Sequence, residues 1–182
     1  VVEMVLEPAD QRTGLGRLAT PTVKRALNLA AAKLVTASSS LEAADWGTNH
    51  LVNEITHSLP GTLGWSSAGH ETPNQREWIG VDLGQSVWID TARLYPRDDQ
   101  AAEGGGFPVD FTVQASDDGD HWTTLVTQTD YHHGQPALGV QTFSFSRDRC
   151  RYVRLEATRL GQVASNPLDY RFQLAELEVF GP

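Results

Sequence analysis

The chain has 182 residues and a formal charge of −9, from 14 Lys and Arg against 23 Asp and Glu. That length suits one domain with a substantial core, or a domain plus a short extension. With no run of basic residues, nucleic acid and anionic membrane surfaces are poor partners; no stretch is apolar enough for membrane insertion as a helix, and the single cysteine, Cys150, excludes an intrachain disulfide.

In chain order, residues 1–26 read as an N-terminal extension or a linker from a preceding module, in keeping with a chain that begins at Val1 rather than Met. Thr20 and Pro21 then stand as an N-cap and first helical residue for TPTVKRALNLAAAKLV, so local propensity predicts a helix there. From about residue 76 the pattern changes to short half-apolar strands and turns. EWIGVDLG places Ile79, Val81 and Leu83 on one face. SVWID and TARLYP follow, and the alternation slips near Thr91, which predicts a bulge. DFTVQAS alternates Phe111, Val113 and Ala115, and SDDGDHW supplies an Asp-Gly turn. HWTTLVTQ, QTFSFS, RYVRLEAT and QLAELEVF complete the set; in the last, Ala175, Leu177 and Val179 share one face and Glu176 and Glu178 the other. Cys150 reads as a small apolar filler at a strand entrance.

Several such strands, separated by turn signals, define an all-β chain folded as an antiparallel sandwich or jelly roll. Function then belongs to the loops at the sandwich ends. The most unusual of these is LYPRDDQAAEGGGFP, which follows an apolar strand from Leu94. Adjacent Asp98 and Asp99 cannot flank one glycosidic bond as an acid and base pair. The glycines lack the Lys-Ser/Thr and the strand-loop-helix setting of a phosphate cradle. A polar binding rim survives both exclusions.

The pieces NLAAAKLVTASSS, WGTNHLVNEI, LGWSSAGH, EWIGVDLG, ARLYPR, GGGFPVDFTVQASDDGDHWTTL, RYVRLEAT and FQLAELEVF together resemble the discoidin, or coagulation factor 5/8 type C, domain, in the version found as family 32 carbohydrate-binding modules. The resemblance runs over residues 27–182. It implies an eight-stranded jelly-roll β-sandwich of the galactose-binding-like kind. It also implies a non-catalytic module of a larger extracellular glycoside hydrolase, secreted or cell-surface, alongside other domains of the parent protein. The partner it implies is a glycan with a terminal neutral sugar of the galactose or N-acetylgalactosamine type. The alternative is a structural or adhesion module that packs on a neighbouring domain and binds no sugar. A small jelly-roll enzyme is disfavoured, because Asp and Glu fall mainly in turns.

The resemblance also marks candidate residues. Arg97, ending the ARLYPR strand, is the first ligand candidate, since a planar guanidinium can take two adjacent hydroxyl oxygens; alternatively it forms a rim ion pair with Asp98. Asp98 and Asp99 could orient Arg97 or accept sugar hydroxyls, and Phe107 either offers a face to a pyranose or plugs the sandwich end. Trp46 either stacks on a sugar or anchors its loop, while Trp65, Trp78 and Trp122 read as core. Asn166, Asp169, Tyr170 and Arg171, in the loop entering the final strand, form a last rim, where Tyr170 or Arg171 either contacts ligand or faces solvent. Of His50, His57, His70, His121, His132 and His133, none shows a paired helical metal spacing, and His70 is the ligand choice. A structural calcium is implied at Asn53 and Glu176, although Asn53-Glu54 stands where the family carries Asp-Gly.

Overall fold

The computed structural model describes residues 26–99, 104–132, 139–163 and 166–182. The expected extension and its Thr20 cap therefore lie, but for Ala26, outside the described residues. The strands in order are β1 Leu34–Ala37, β2 Trp65–Ser66, β3 Glu77–Tyr95, β4 Asp110–Ser116, β5 Thr123–Gln128, β6 Gln141–Arg159, β7 Gly161–Val163, β8 Asn166–Arg171, β9 Gln173–Leu174 and β10 Glu176–Phe180. Among the described residues the only helical element is a single 3-10 turn, Thr48–His50, and none is long and apolar enough to cross a membrane.

Two long strands organise the fold. β3 and β6 pair antiparallel along their lengths, with register shifts between Asp82 and Val87 and between Ile89 and Thr91. The second shift is the bulge that the alternation at Thr91 predicts. Before the bend, β3 and β6 join β1, β4 and β5 in one sheet. Beyond it, the other limb of β3 pairs with β10 on one side and with the other limb of β6 on the other. The four short strands β1, β4, β5 and β10, with the two limbs each of β3 and β6, make the eight-stranded antiparallel sandwich.

The period-2 patterns place the core between these layers. Ile79, Val81, Val113, Val153 and Leu155 from one sheet and Ala92, Leu94, Leu177 and Val179 from the other belong to one buried cluster. Cys150 is part of it at 1 % exposure, and burial pushes its thiol up to about 12, so it is an inert filler. The last strand departs from the simple alternation: Glu176 and Glu178 are buried as well as the apolar face. The segment through Leu51–Glu54 covers that side, with Leu177 N–H donating to the Leu51 carbonyl at 2.8 Å.

The helix expected through residues 20–35 is corrected over its described part. Residues 29–32 form a turn and Leu34–Ala37 is β1. Tertiary contacts override propensity here: Asn28 Oδ1 accepts the backbone N–H groups of Ala30 and Val179, and Leu29 N–H reaches the Val179 carbonyl at 2.8 Å. These bonds fix the segment against β10 in a non-helical path.

Close backbone packing sets the entry to β2. Gly64 has φ 108°, and a Cβ there would lie 2.1 Å from the Leu174 carbonyl oxygen. Gly64→Ala is expected to cost at least about 2 kcal/mol of stability, read as a lower denaturant midpoint in chemical unfolding.

Candidate functional site

The ends of β1 and β3 and the loops around β2, β7, β8 and β9 converge at one end of the sandwich. Two polar clusters form there. The first is built on Arg97, which leaves β3 through Pro96. Its guanidinium donates from Nε and Nη2 to both Asp99 oxygens at 2.6 and 2.8 Å, and from Nη1 to Gln173 Oε1 at 3.2 Å. Its Cζ lies 4.8 Å from the centre of the Trp46 ring. Gln173 in turn donates to Ser66 Oγ at 3.0 Å. Gly106, at φ 77°, lets Gln173 close in, since a Cβ there would meet the Gln173 side chain at 2.6 Å. That is what part of the glycine run does.

The geometry corrects the expected role of Arg97. Only 9 % of the residue is exposed, and three of its donors are already taken. It is less an open fork for ligand than a buried support beneath Trp46. Its ion-pair partner is Asp99, not Asp98. Successive residues leaving a strand point opposite ways, and Asp98 turns instead to His57 Nδ1 at 2.5 Å and the Ser58 N–H at 2.6 Å. Asp98 thus ties down the 57–63 loop. Phe107 is also corrected: it is 4 % exposed and packs within 6.0 Å of Phe111 and Tyr131, so it plugs the sandwich end and offers no face to a ligand.

Trp46 remains partly exposed on the surface of this cluster. Its loop is held by paired backbone bonds between Ala43 and Trp46, by Gly47 N–H to the Gly64 carbonyl, and by Leu63 N–H to the Asp45 carbonyl. Asp45 Oδ1 also accepts the Gly61 N–H at 2.7 Å. The indole is therefore a fixed platform with a cation beneath it, an arrangement that contributes about 0.5–1 kcal/mol at a partly exposed site.

The second cluster brings together His70 and Tyr170, which bridge through reciprocal backbone bonds of 3.0 and 2.8 Å. Side chains directly opposite in such a bridge project to the same side. His70 Nε2 donates to Glu77 Oε1 at 2.7 Å, which fixes the ring. Glu77 is buried and also accepts the hydroxyls of Ser38 and Ser39. Arg171 pairs with Asp169 at 2.9 Å and reaches the Ser67 carbonyl. Gln173 and Ser66–Ser67 link the two clusters. Sequence reasoning missed Gln173 and Glu77; the signal was a polar residue standing at the start of an otherwise apolar strand in each case. His133 lies outside the described residues.

The expected calcium site does not assemble a calcium donor set. Both Glu176 oxygens accept backbone N–H groups, from Glu54 at 3.0 Å and Asn53 at 3.2 Å. Asn53 Oδ1 accepts the Ile55 N–H, and its amide donates to Thr62 Oγ1, both at 3.0 Å. Among the described residues no three His, Cys, Asp or Glu gather as metal ligands. Calcium needs six to eight oxygens, usually with several carboxylates; here one carboxylate faces donors, and hydrogen bonds pin the loop instead. Burial pushes the Glu176 carboxyl up to about 8, against the opposing pull of the Glu54 and Asn53 N–H bonds.

Against these features, the sequence matches the profile of the F5/8 type C domain over residues 35–168. The chain belongs to that family. Among curated proteins no match was found. Of solved structures, chitosan-binding module 1 from a chitosanase/glucanase of Paenibacillus sp. IK-5 is 26% identical, covering 85% of this chain and 99% of that one at TM-score 0.61. A family 32 carbohydrate-binding module from a family 31 glycoside hydrolase of Clostridium perfringens shares the fold at 18% identity, covering 86% and 95% at TM-score 0.66. The family 32 module of C. perfringens NanJ, solved with galactose, does so at 17% identity, covering 85% and 97% at TM-score 0.62.

Two outcomes follow from the hydrogen bonding. Arg97→Ala is expected to lower stability by about 2–3 kcal/mol, because Asp99 and Gln173 lose a charged partner in a nearly closed site; urea unfolding reads it. Glu176 binds its proton more tightly folded than unfolded, so its contribution to stability is full below about pH 4.5 and is lost as pH rises towards about 8. Melting temperature should fall across that window, and Glu176→Gln should flatten the slope. Added calcium should leave the wild-type transition in place.

Proposed function

We propose that this domain is a non-catalytic carbohydrate-binding module that holds a glycan against the Trp46 indole at its loop end. The observation that carries the reading is the Trp46 platform itself. A flat ring, partly exposed, fixed by its loop and braced by the Arg97 guanidinium 4.8 Å away, presents the surface on which the C–H face of a sugar stacks. His70 and Tyr170 stand on the same end and would meet hydroxyls of the same glycan. The ligand class this reading gives is a terminal neutral sugar such as galactose, as in the solved NanJ module. The module would work outside the cell, tethering a parent glycoside hydrolase to its substrate; a shallow single-sugar site binds weakly, and linkage to the enzyme adds avidity.

A second ligand class has its own support. Glu42, Asp45, Asp98 and Asp99 all lie on the loops that carry Trp46 and Arg97, and Asp99 already neutralises Arg97. That rim favours a cationic amino sugar over an anionic one, in keeping with the chitosan-binding module at 26% identity. Calorimetric titration of the chain with galactose-terminated oligosaccharides and with chitotriose separates the two. Trp46→Ala is expected to weaken binding of the preferred sugar at least about tenfold while costing no more than about 1 kcal/mol of stability. Binding that survives Trp46→Ala unchanged, or no binding to any glycan, would sink the proposal and favour a structural module.

A further inference from the structure

At the bend of β3, away from the loop end, a cavity of about 770 Å³ opens among Leu27, Leu29, Ser86, Val87, Trp88 and Arg149. Small-molecule sites span about 300–1,000 Å³. The Trp88 indole is 50 % exposed. Trp88 stands opposite Arg149 in the β3–β6 ladder, so their side chains project to the same side. The Arg147 guanidinium lies 5.1 Å from the centre of the Trp88 ring. Among the described residues, Arg147 and Arg149 alone of the arginines have no carboxylate within ion-pair distance. The nearby acids are engaged elsewhere: Asp148 turns an oxygen to the Arg149 backbone N–H at 2.8 Å, and Asp117 accepts the Ser86 hydroxyl at 2.8 Å. In a chain of net charge −9, two unpaired cations therefore flank a half-exposed indole.

Those groups select for one kind of ligand. The indole offers apolar area to the C–H face of a sugar ring, with a polar edge beside it. Each guanidinium presents its N–H donors in a fixed plane, a fork that matches the paired oxygens of a carboxylate or a sulfate ester. A peptide strand fits poorly, because it needs an open sheet edge. Here β3 is paired on both sides, by β6 and β10. The outer edge of β10 is closed in turn by Leu29 N–H on the Val179 carbonyl and by Val179 N–H on Asn28 Oδ1. An anionic membrane also fits poorly, since such surfaces are held by clusters of about four to eight cations. Nor does the loop end compete for an anion, because Glu42, Asp45 and Asp98 stand on its loops.

We propose that the Trp88 groove is a second glycan site that takes an anionic sugar residue, its ring on the Trp88 indole and its carboxylate or sulfate ester on Arg147 and Arg149. The site stands apart from Trp46 and its ligand. The test follows the Trp88 and Trp46 indole N–H signals of the full chain by NMR. Trigalacturonate, a sulfated galactose trisaccharide and uncharged galactotriose are added in separate titrations. The Trp88 signal should shift saturably with one or both anionic sugars, which tells a uronate from a sulfate ester, and should stay in place with galactotriose. Arg147→Gln with Arg149→Gln, both exposed positions, should weaken that binding at least about tenfold. A Trp46 signal unmoved by every sugar would count against the loop-end site alone. The proposal is overturned if the Trp88 signal ignores both anionic sugars, moves equally with galactotriose, or responds unchanged in the double variant. A stronger response to polyglutamate or to phosphatidylserine vesicles than to either anionic sugar would also overturn it, making the occupant a peptide or a membrane.

Discussion

The antiparallel ladder between β3 and β6 is the constraint on which everything else in this domain depends. Each strand is too long for one sheet, and the register shifts after Asp82 and Ile89 let the pair bend and serve both layers. The buried faces of the two limbs then meet in one core. Because β3 begins at Glu77 and ends at Tyr95, the bend also brings its two termini to the same end of the molecule, linked through Ser66, Ser67 and Gln173. The loop end is a by-product of how two strands close the sandwich.

That end is stabilised by polar groups that satisfy one another, which changes what is left for a ligand. Arg97 spends its donors on Asp99 and Gln173, Glu77 takes His70 and two serine hydroxyls, and Asp98 holds the 57–63 loop. Buried charges must be paired or they destabilise the fold. Among the described residues of the two clusters, the Trp46, Tyr170 and His70 rings remain partly exposed. Under the proposed reading, the charged residues position the rings on which a sugar would stack.

Much of the sheet was legible because strand periodicity is a local signal. Phe111, Val113 and Ala115 are inward as their alternation indicates, and the slip at Thr91 is a bulge. The segment before β1 was not legible in the same way. Its alanines favour a helix, but bonds from Asn28 to Val179, 151 residues away, hold it in another path. Glu176 misled for a related reason: period 2 placed it on an outer face, and the Asn53–Glu54 backbone covers that face.

The sequence alone determined the fold class, the family and the loop in which Arg97 stands, since these follow from strand period, turn residues and ordered motifs. Tertiary structure alone decided which of two adjacent aspartates pairs with Arg97, that Phe107 is core rather than rim, and that Asn53 and Glu176 meet through backbone N–H groups. Those outcomes depend on side-chain direction and on partners distant in the chain, Gln173 for Arg97 and Tyr131 for Phe107. Residue type and spacing carry no record of either.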